Sequence, residues 1–201
     1  MAISLGSGRA VFALARLLGR RHPRLAVAVA SERSAEVARS AGLRVRDPDD
    51  VARFDLALDG TDEIDPRLNL LKGGGAAMLR EKLLVEQADR FVVVAEAAKR
   101  VERLGERMPR PLEVIPFGWR ATRRRVLELV PVAELRPGGV RTDGGNLILD
   151  CTVPEHADAG ELARALKLVT GVVEHGLFLG LAEQAILGLD DGSVLTRSRR
   201  T

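Results

Sequence analysis

The stretch Asp59-Gly60-Thr61-Asp62-Glu63-Ile64-Asp65, followed by Lys72-Gly73-Gly74-Gly75-Ala76-Ala77-Met78-Leu79-Arg80-Glu81-Lys82, decides how the rest of the chain is read. A short apolar run, Phe54 to Leu58, leads into the acidic turn. A lysine and three glycines come next, and a helical pattern over 76–88 follows. Carboxylates and glycines at this density are poor packing material. They suit a chain that handles phosphate or an oxyanion, because glycine lets backbone N–H groups approach a ligand and a helix start favours anions.

Outward from this stretch, apolar runs alternate with helical spacing. Ile3 to Leu5 reads as a strand broken by Gly6-Ser7-Gly8, and Ala10, Leu14, Leu17 and Leu18 recur at helical intervals. Leu25 to Ala30 is a second strand, and Ser31 or Ser34 can cap a helix that ends near Gly42. Leu43 to Val45 and Phe91 to Ala95 complete a set of short strands separated by helices. The fold class is therefore α/β, with a mostly parallel sheet. Beyond Pro111 the pattern turns β-rich. Leu112 to Pro116 is a strand closed by proline and Trp119 to Val130 a helix. A hairpin end falls at Asp143-Gly144-Gly145-Asn146, Leu147 to Leu149 is a strand and Leu162 to Leu168 a helix. Gly171 to Leu179 is again strand-like. The expected organisation is a larger domain over 1–117, with segment 188–201 free to return to it, and a small α+β domain over 118–187.

Composition narrows the function classes. With 201 residues, 46% of them hydrophobic, the chain can bury a sizeable core. No apolar run approaches the ~18 residues of a membrane span, and Met1 to Gly6 lacks the basic and apolar regions of a secretory signal. The one cysteine, Cys151, fits a reducing compartment and reads as a buried, inert thiol. A cytoplasmic location is expected, with no membrane partner. The net charge is only +3, from 31 basic and 28 acidic residues. Arg123-Arg124-Arg125 and Arg197 to Arg200 read as a solvated helix face and a tail, and aromatics are 3%, so no nucleic-acid partner is expected.

Each motif alone leaves alternatives open. Gly6-Ser7-Gly8 starts like a dinucleotide fingerprint but has no third glycine, so a plain strand-to-helix turn fits it equally. The glycine triplet can be a flexible turn. The acidic cluster can attract a divalent metal, although Ile64 stands where a calcium loop needs glycine; no metal site is expected. In combination the pieces suit an aldose–ketose isomerase, which needs a general base near a carbon acid, donors for the developing oxyanion and a clamp for a distal phosphate. Glu81 is the candidate base, with Asp59 and Asp62 resisting its ionisation and Lys72 favouring it.

Across nearly its whole length the chain resembles the A-type ribose-5-phosphate isomerase family. Its acidic motif resembles Asp59 to Asp65, with Thr61 where alanine is usual. Its central motif resembles Lys72 to Gly75 with Arg80-Glu81-Lys82. Ala98-Lys99, Pro111 to Pro116, Thr142 to Asn146 and Gly171 to Phe178 match further blocks in order. The resemblance implies interconversion of D-ribose 5-phosphate and D-ribulose 5-phosphate through an enediolate, in the non-oxidative pentose phosphate pathway, with no metal or organic cofactor. It implies that Glu81 moves the proton and that Asp59 and Asp62 hold and polarise the sugar. Lys72 and the amides of Gly73, Gly74 and Gly75 line the pocket with Gly60 and Thr61. Lys99 contacts the substrate, and Ser7, Gly8, Arg9 and Ala10 surround the phosphate. It further implies a Rossmann-like domain with a smaller ferredoxin-like domain, assembled as a homodimer or homotetramer. The phosphate loop departs from the family's usual Gly-Thr-Gly-Ser-Thr: here Arg9 and Ala10 replace two hydroxyls, leaving Arg9 either to bind phosphate or to point to solvent. A helix usually precedes the first strand, whereas here Met1 lies almost on it. These departures keep a second reading in view, a non-catalytic sugar-phosphate sensor on the same scaffold. An isomerase or transferase for amino-sugar phosphates or CoA esters is a third.

Overall fold

The computed structural model describes residues 1–153 and 157–199. In chain order the elements are β1 (Ile3–Leu5), α1 (Arg9–Arg21), β2 (Ala26–Val29), α2 (Glu32–Ser40), β3 (Arg44–Val45), β4 (Leu56–Asp59), β5 (Glu63–Ile64), β6 (Leu70–Leu71), α3 (Met78–Glu86) and β7 (Phe91–Glu96). They continue with β8 (Arg110–Val114), α4 (Trp119–Val126), β9 (Val132–Leu135), β10 (Leu147–Thr152), α5 (Ala159–Lys167), β11 (Val172–His175), β12 (Leu177–Phe178), β13 (Gln184–Gly188) and β14 (Val194–Ser198). The chain forms two compact units, one of residues 1–61, 80–100 and 180–201, the other of 62–79 and 101–179. The expected contiguous split at 117/118 therefore differs from the observed one, in which the chain changes unit at Thr61, Arg80, Val101 and Gly180. Of the C-terminal segment, Arg200 and Thr201 lie outside the described residues.

The first unit is built on a seven-stranded sheet in the order β14-β13-β7-β4-β1-β2-β3. All its pairings are parallel except the β13–β14 edge hairpin. Ile3, Leu5 and Val27 from the strands meet Val11 and Ala15 of α1 and Ala38 of α2 in one core cluster. Ser31 caps α2, its hydroxyl accepting from the Ser34 N–H at 3.0 Å. Helix α3 is shorter than its apolar pattern. Ala76 sits at φ 62 and cannot join the helix, and at the other end Ala88 bridges to Phe54.

The second unit contains β8-α4-β9-β10-α5-β11. Its four strands form one antiparallel sheet in the order β11-β8-β10-β9, the ferredoxin-like arrangement. Leu112, Val114, Leu149 and Cys151 on one face of the sheet pack with Val126 and Val130 and with Leu162 and Leu166. Helix α4 stops at Val126, short of the expected Val130: the chain tightens through the Leu129 N–H to Val126 carbonyl bond, and Pro131 cannot extend it. A separate three-stranded sheet, β12-β6-β5, carries the segment from the acidic motif to the glycine triplet. No helix among the described residues is long and apolar enough to cross a membrane.

Cys151 is fully buried in the α4–α5 core. Burial, reinforced by the nearby Asp150 charge, pushes its thiol up to about 12. A group with a raised pKa stays a neutral thiol at every pH below that value, so the reactive thiolate is absent under ordinary conditions. The folded protein at pH 8 is expected to resist iodoacetamide for hours and to label promptly once unfolded in urea, as read by mass spectrometry. Rapid labelling of the folded chain would contradict this burial.

Candidate active site

In the first unit the chain runs outward from β1 through β2 to β3, then returns to place β4, β7 and β13 on the other side. The reversal lies between β1 and β4. In open parallel sheets this is where a crevice opens beyond the carboxyl ends of the strands. Two expected site segments, Gly6 to Ala10 after β1 and Asp59-Gly60 at the end of β4, lie at that reversal.

Asp59 is the last residue of β4 and 1% exposed. Its Oδ1 accepts the N–H of Gly60 at 2.7 Å and of Ser7 at 3.2 Å. The carboxyl lies flat on Gly6, where a Cβ would fall 1.9 Å from it. Only glycine fits there, which accounts for Gly6 without a phosphate. Gly8, at φ 118, starts α1 with no side-chain cap and no acid in the first turn, so the N–H groups of that turn are not capped by a side chain. The Ser34 hydroxyl donates to the Gly6 carbonyl at 2.7 Å, and the Ser31 hydroxyl lies 2.9 Å from it and 3.0 Å from that of Ser7. Because the Ser34 proton is committed, Ser31 donates to Ser34 and Ser7 to Ser31. Arg9 reaches Glu96 at 3.4 Å with 83% of its side chain exposed, an ion pair of little strength. Ala10 and Thr61 are partly exposed.

In the second unit, Asp62 accepts the Gly74 N–H at Oδ2, 2.8 Å away. A side chain at Gly74 would crowd that carboxylate at 3.0 Å, while nothing lies within 4 Å of Gly75. Gly73, at φ 111, packs against Pro111 and Met78. Lys72 is 3% exposed, with its ammonium 5.6 Å over the Phe178 ring. Its N–H donates to the Gly176 carbonyl at 2.8 Å, and a side chain on Gly176 would strike the Lys72 carbonyl. Glu63 holds a loop by accepting the N–H groups of Gly105, Arg107 and Met108. Asp65 forms a turn by accepting from Arg67 and Asn69. Those two carboxylates of the acidic motif are structural.

Glu81 lies in the first turn of α3, 4% exposed, with Lys82 beside it also buried, at 6%. A buried carboxylate at a helix start is unusual for a surface residue. Lys99 ends the short turn after β7, half-buried at the same carboxyl edge as Asp59. The structure thus gathers Gly6, Ser7, Gly8, Asp59 and Gly60 in one unit, and Asp62, Lys72, Gly73 and Gly74 in the other. Sequence reasoning did not single out Arg136 or Asp150 as parts of this machinery. His175 lies 3.6 Å through Nδ1 from Glu174.

A mostly parallel sheet whose order reverses between β1 and β4, with Asp59, Gly60 and the Gly6 to Gly8 loop at that reversal, and a ferredoxin-like unit in the same chain make this a two-unit α/β protein. The family described as ribose 5-phosphate isomerase A (phosphoriboisomerase A) matches residues 26–192. A ribose-5-phosphate isomerase A of Thermomicrobium roseum is 44% identical over all of this chain and 88% of its own length. One of Roseiflexus castenholzii is 48% identical over 96% of this chain and 87% of its own. Among solved structures, a D-ribose-5-phosphate isomerase in complex with phospho-erythronic acid is similar at a TM-score of 0.93 and 34% identity, over 99% of this chain and 91% of that one. That of Methanocaldococcus jannaschii gives 0.91 and 32%, over 98% and 91%. The chain belongs to the ribose 5-phosphate isomerase A family.

Gly6→Ala is expected to lower stability by about 1–3 kcal/mol, because the added methyl must displace the Asp59 carboxyl. Gly75→Ala, with open space around it, should stay within about 0.5 kcal/mol of the parent. Urea unfolding of the two variants side by side checks the contrast; equal effects would contradict the seating of Asp59 on Gly6.

Proposed function

We propose that the chain interconverts D-ribose 5-phosphate and D-ribulose 5-phosphate through an enediolate. The observation that carries this reading is the buried carboxylate of Glu81 in a chain related over its full length to these isomerases. With the sugar open, the Glu81 carboxylate removes the C2 proton. The C2 electron pair forms the C1–C2 double bond, and the aldehyde oxygen gains negative charge. The Gly75 N–H and the Lys72 ammonium are suited to that oxyanion, while the Gly74 N–H holds Asp62. Glu81 then returns the proton to C1 while the O2 hydroxyl proton passes to O1, giving the ketose with no net gain or loss of atoms. Asp59 and Asp62 hold and polarise the sugar hydroxyls, with Gly60 and Thr61 beside them, and Lys99 contacts the substrate. Ser7, Gly8, Arg9 and Ala10 surround the phosphate at the start of α1. No metal or organic cofactor enters the reaction, which is a proton transfer between neighbouring carbons. The protein acts in the cytoplasm as a homodimer or homotetramer.

One observation favours the alternative of a sugar-phosphate sensor: Arg9 of the loop is engaged by Glu96, and with Ala10 it stands where the family resemblance leads one to expect hydroxyls. The two readings separate in one experiment. In heavy water with EDTA, the protein is expected to form ribulose 5-phosphate with deuterium bound to carbon, and Glu81→Gln should slow turnover by about 10²–10⁴-fold. Absence of turnover, with ribose 5-phosphate still raising the melting temperature, would overturn the enzyme reading; turnover persisting in the variant would remove Glu81 from its role.

A further inference from the structure

Arg136 follows β9 directly, and its backbone N–H donates to the Ile148 carbonyl on β10 at 2.9 Å. Its guanidinium grips Asp150 of β10 with two parallel bonds, Nε to Oδ2 at 2.9 Å and Nη2 to Oδ1 at 2.6 Å. Both side chains are largely buried, 13% and 19% exposed. The remaining nitrogen, Nη1, donates to the Gly73 carbonyl at 2.7 Å and leans to the Gly74 carbonyl at 3.4 Å. The Gly73 carbonyl also closes the turn by accepting the Ala76 N–H at 3.1 Å.

A trans peptide is planar, with its carbonyl and N–H pointing in opposite directions. Holding the Gly73 carbonyl on Arg136 therefore aims the Gly74 N–H away from Arg136, and that N–H is the one that meets Asp62 at 2.8 Å. Holding the Gly74 carbonyl does the same for the Gly75 N–H. Glycine would otherwise let either peptide flip at little cost. Successive N–H groups turned to one side form an anion-binding concavity.

We propose that Arg136, locked by Asp150, is a positioning residue for the isomerase reaction: it fixes the peptide planes of Gly73 and Gly74, and through them the donor N–H groups and the Asp62 carboxylate. This rests on the isomerase reading. Lysine cannot replace it, because an ammonium has no planar fork to hold two carboxylate oxygens and two carbonyls together.

Arg136→Lys keeps the charge beside Asp150 and is the variant to test first. Its kcat for ribose 5-phosphate is expected to fall about 100-fold, the cost of a misplaced site, with KM changed by less than about threefold. The Gly74 N–H, followed by nuclear magnetic resonance without substrate, should exchange with water at least about fivefold faster. In Arg136→Ala, about 50 mM guanidinium should recover kcat at least about fivefold by refilling the site against Asp150. An Arg136→Lys protein with kcat within about twofold of the parent, or with a fallen kcat but unchanged Gly74 exchange, overturns the proposal. A parent protein without isomerase activity instead defeats the functional reading, and the exchange rate then still decides whether Arg136 holds the loop.

Discussion

The Asp59 carboxylate resting on the Gly6 backbone is the contact on which the geometry of the first unit depends. It joins the ends of the two strands that flank the reversal of the sheet. Side chains larger than hydrogen are excluded at residue 6 because the carboxyl occupies that space. The Ser7 and Gly60 N–H groups converge on one oxygen, which compensates for the burial of a charged group. The hydroxyl chain Ser7-Ser31-Ser34 closes back on the Gly6 carbonyl and ties the same loop to the capped start of α2. The loop is thus held from two strands and a helix before any ligand arrives, as a preorganised site requires.

The second unit repeats the device with different parts. Asp62 meets the Gly74 amide as Asp59 meets the amides of Ser7 and Gly60. Arg136 holds the far side of that peptide, and Gly176 and Phe178 sit against Lys72. In both units a buried or crowded carboxylate is placed by backbone N–H groups, and glycines stand where a side chain would collide. Glycine-rich loops of this kind are rigid because their freedom is removed by specific acceptors and donors.

Much of the fold was legible because several strands are short apolar runs ended by glycine or charged residues, and most helices carry a regular apolar stripe. Ile3 to Leu5, Phe91 to Ala95 and the Ser31 cap are examples. Strands β5 and β6 have two residues each, too few for any periodicity. Strand β14 is an exposed edge whose Thr196, Arg197 and Ser198 show no alternation, so its return to the first sheet had no local signal. The same lack of signal placed Gln184 to Leu187 with the small domain, whereas this strand pairs with β7. Of the site, the acidic and glycine motifs stood out by composition. Arg136 and Asp150 did not, because an arginine in an arginine-rich chain and an aspartate in a strand acquire meaning only when the fold joins them to Gly73, which lies 63 residues away in sequence. Glu63 and Asp65 show the converse: they belong to a motif that reads as chemical, yet they brace loops.

The central claim is that the Asp59–Gly6 contact makes the crevice beyond β1 and β4 the place where the sugar phosphate is held. The most direct measurement is a crystal structure of this protein with phospho-erythronate, the compound present in a related isomerase structure. The account predicts its phosphate at the start of α1, within hydrogen-bonding distance of Ser7 and the N–H groups of residues 8–10, with Asp59 still seated on Gly6. A phosphate bound elsewhere, for example on Arg123 to Arg125 with the Gly6 to Ala10 loop empty, would contradict it.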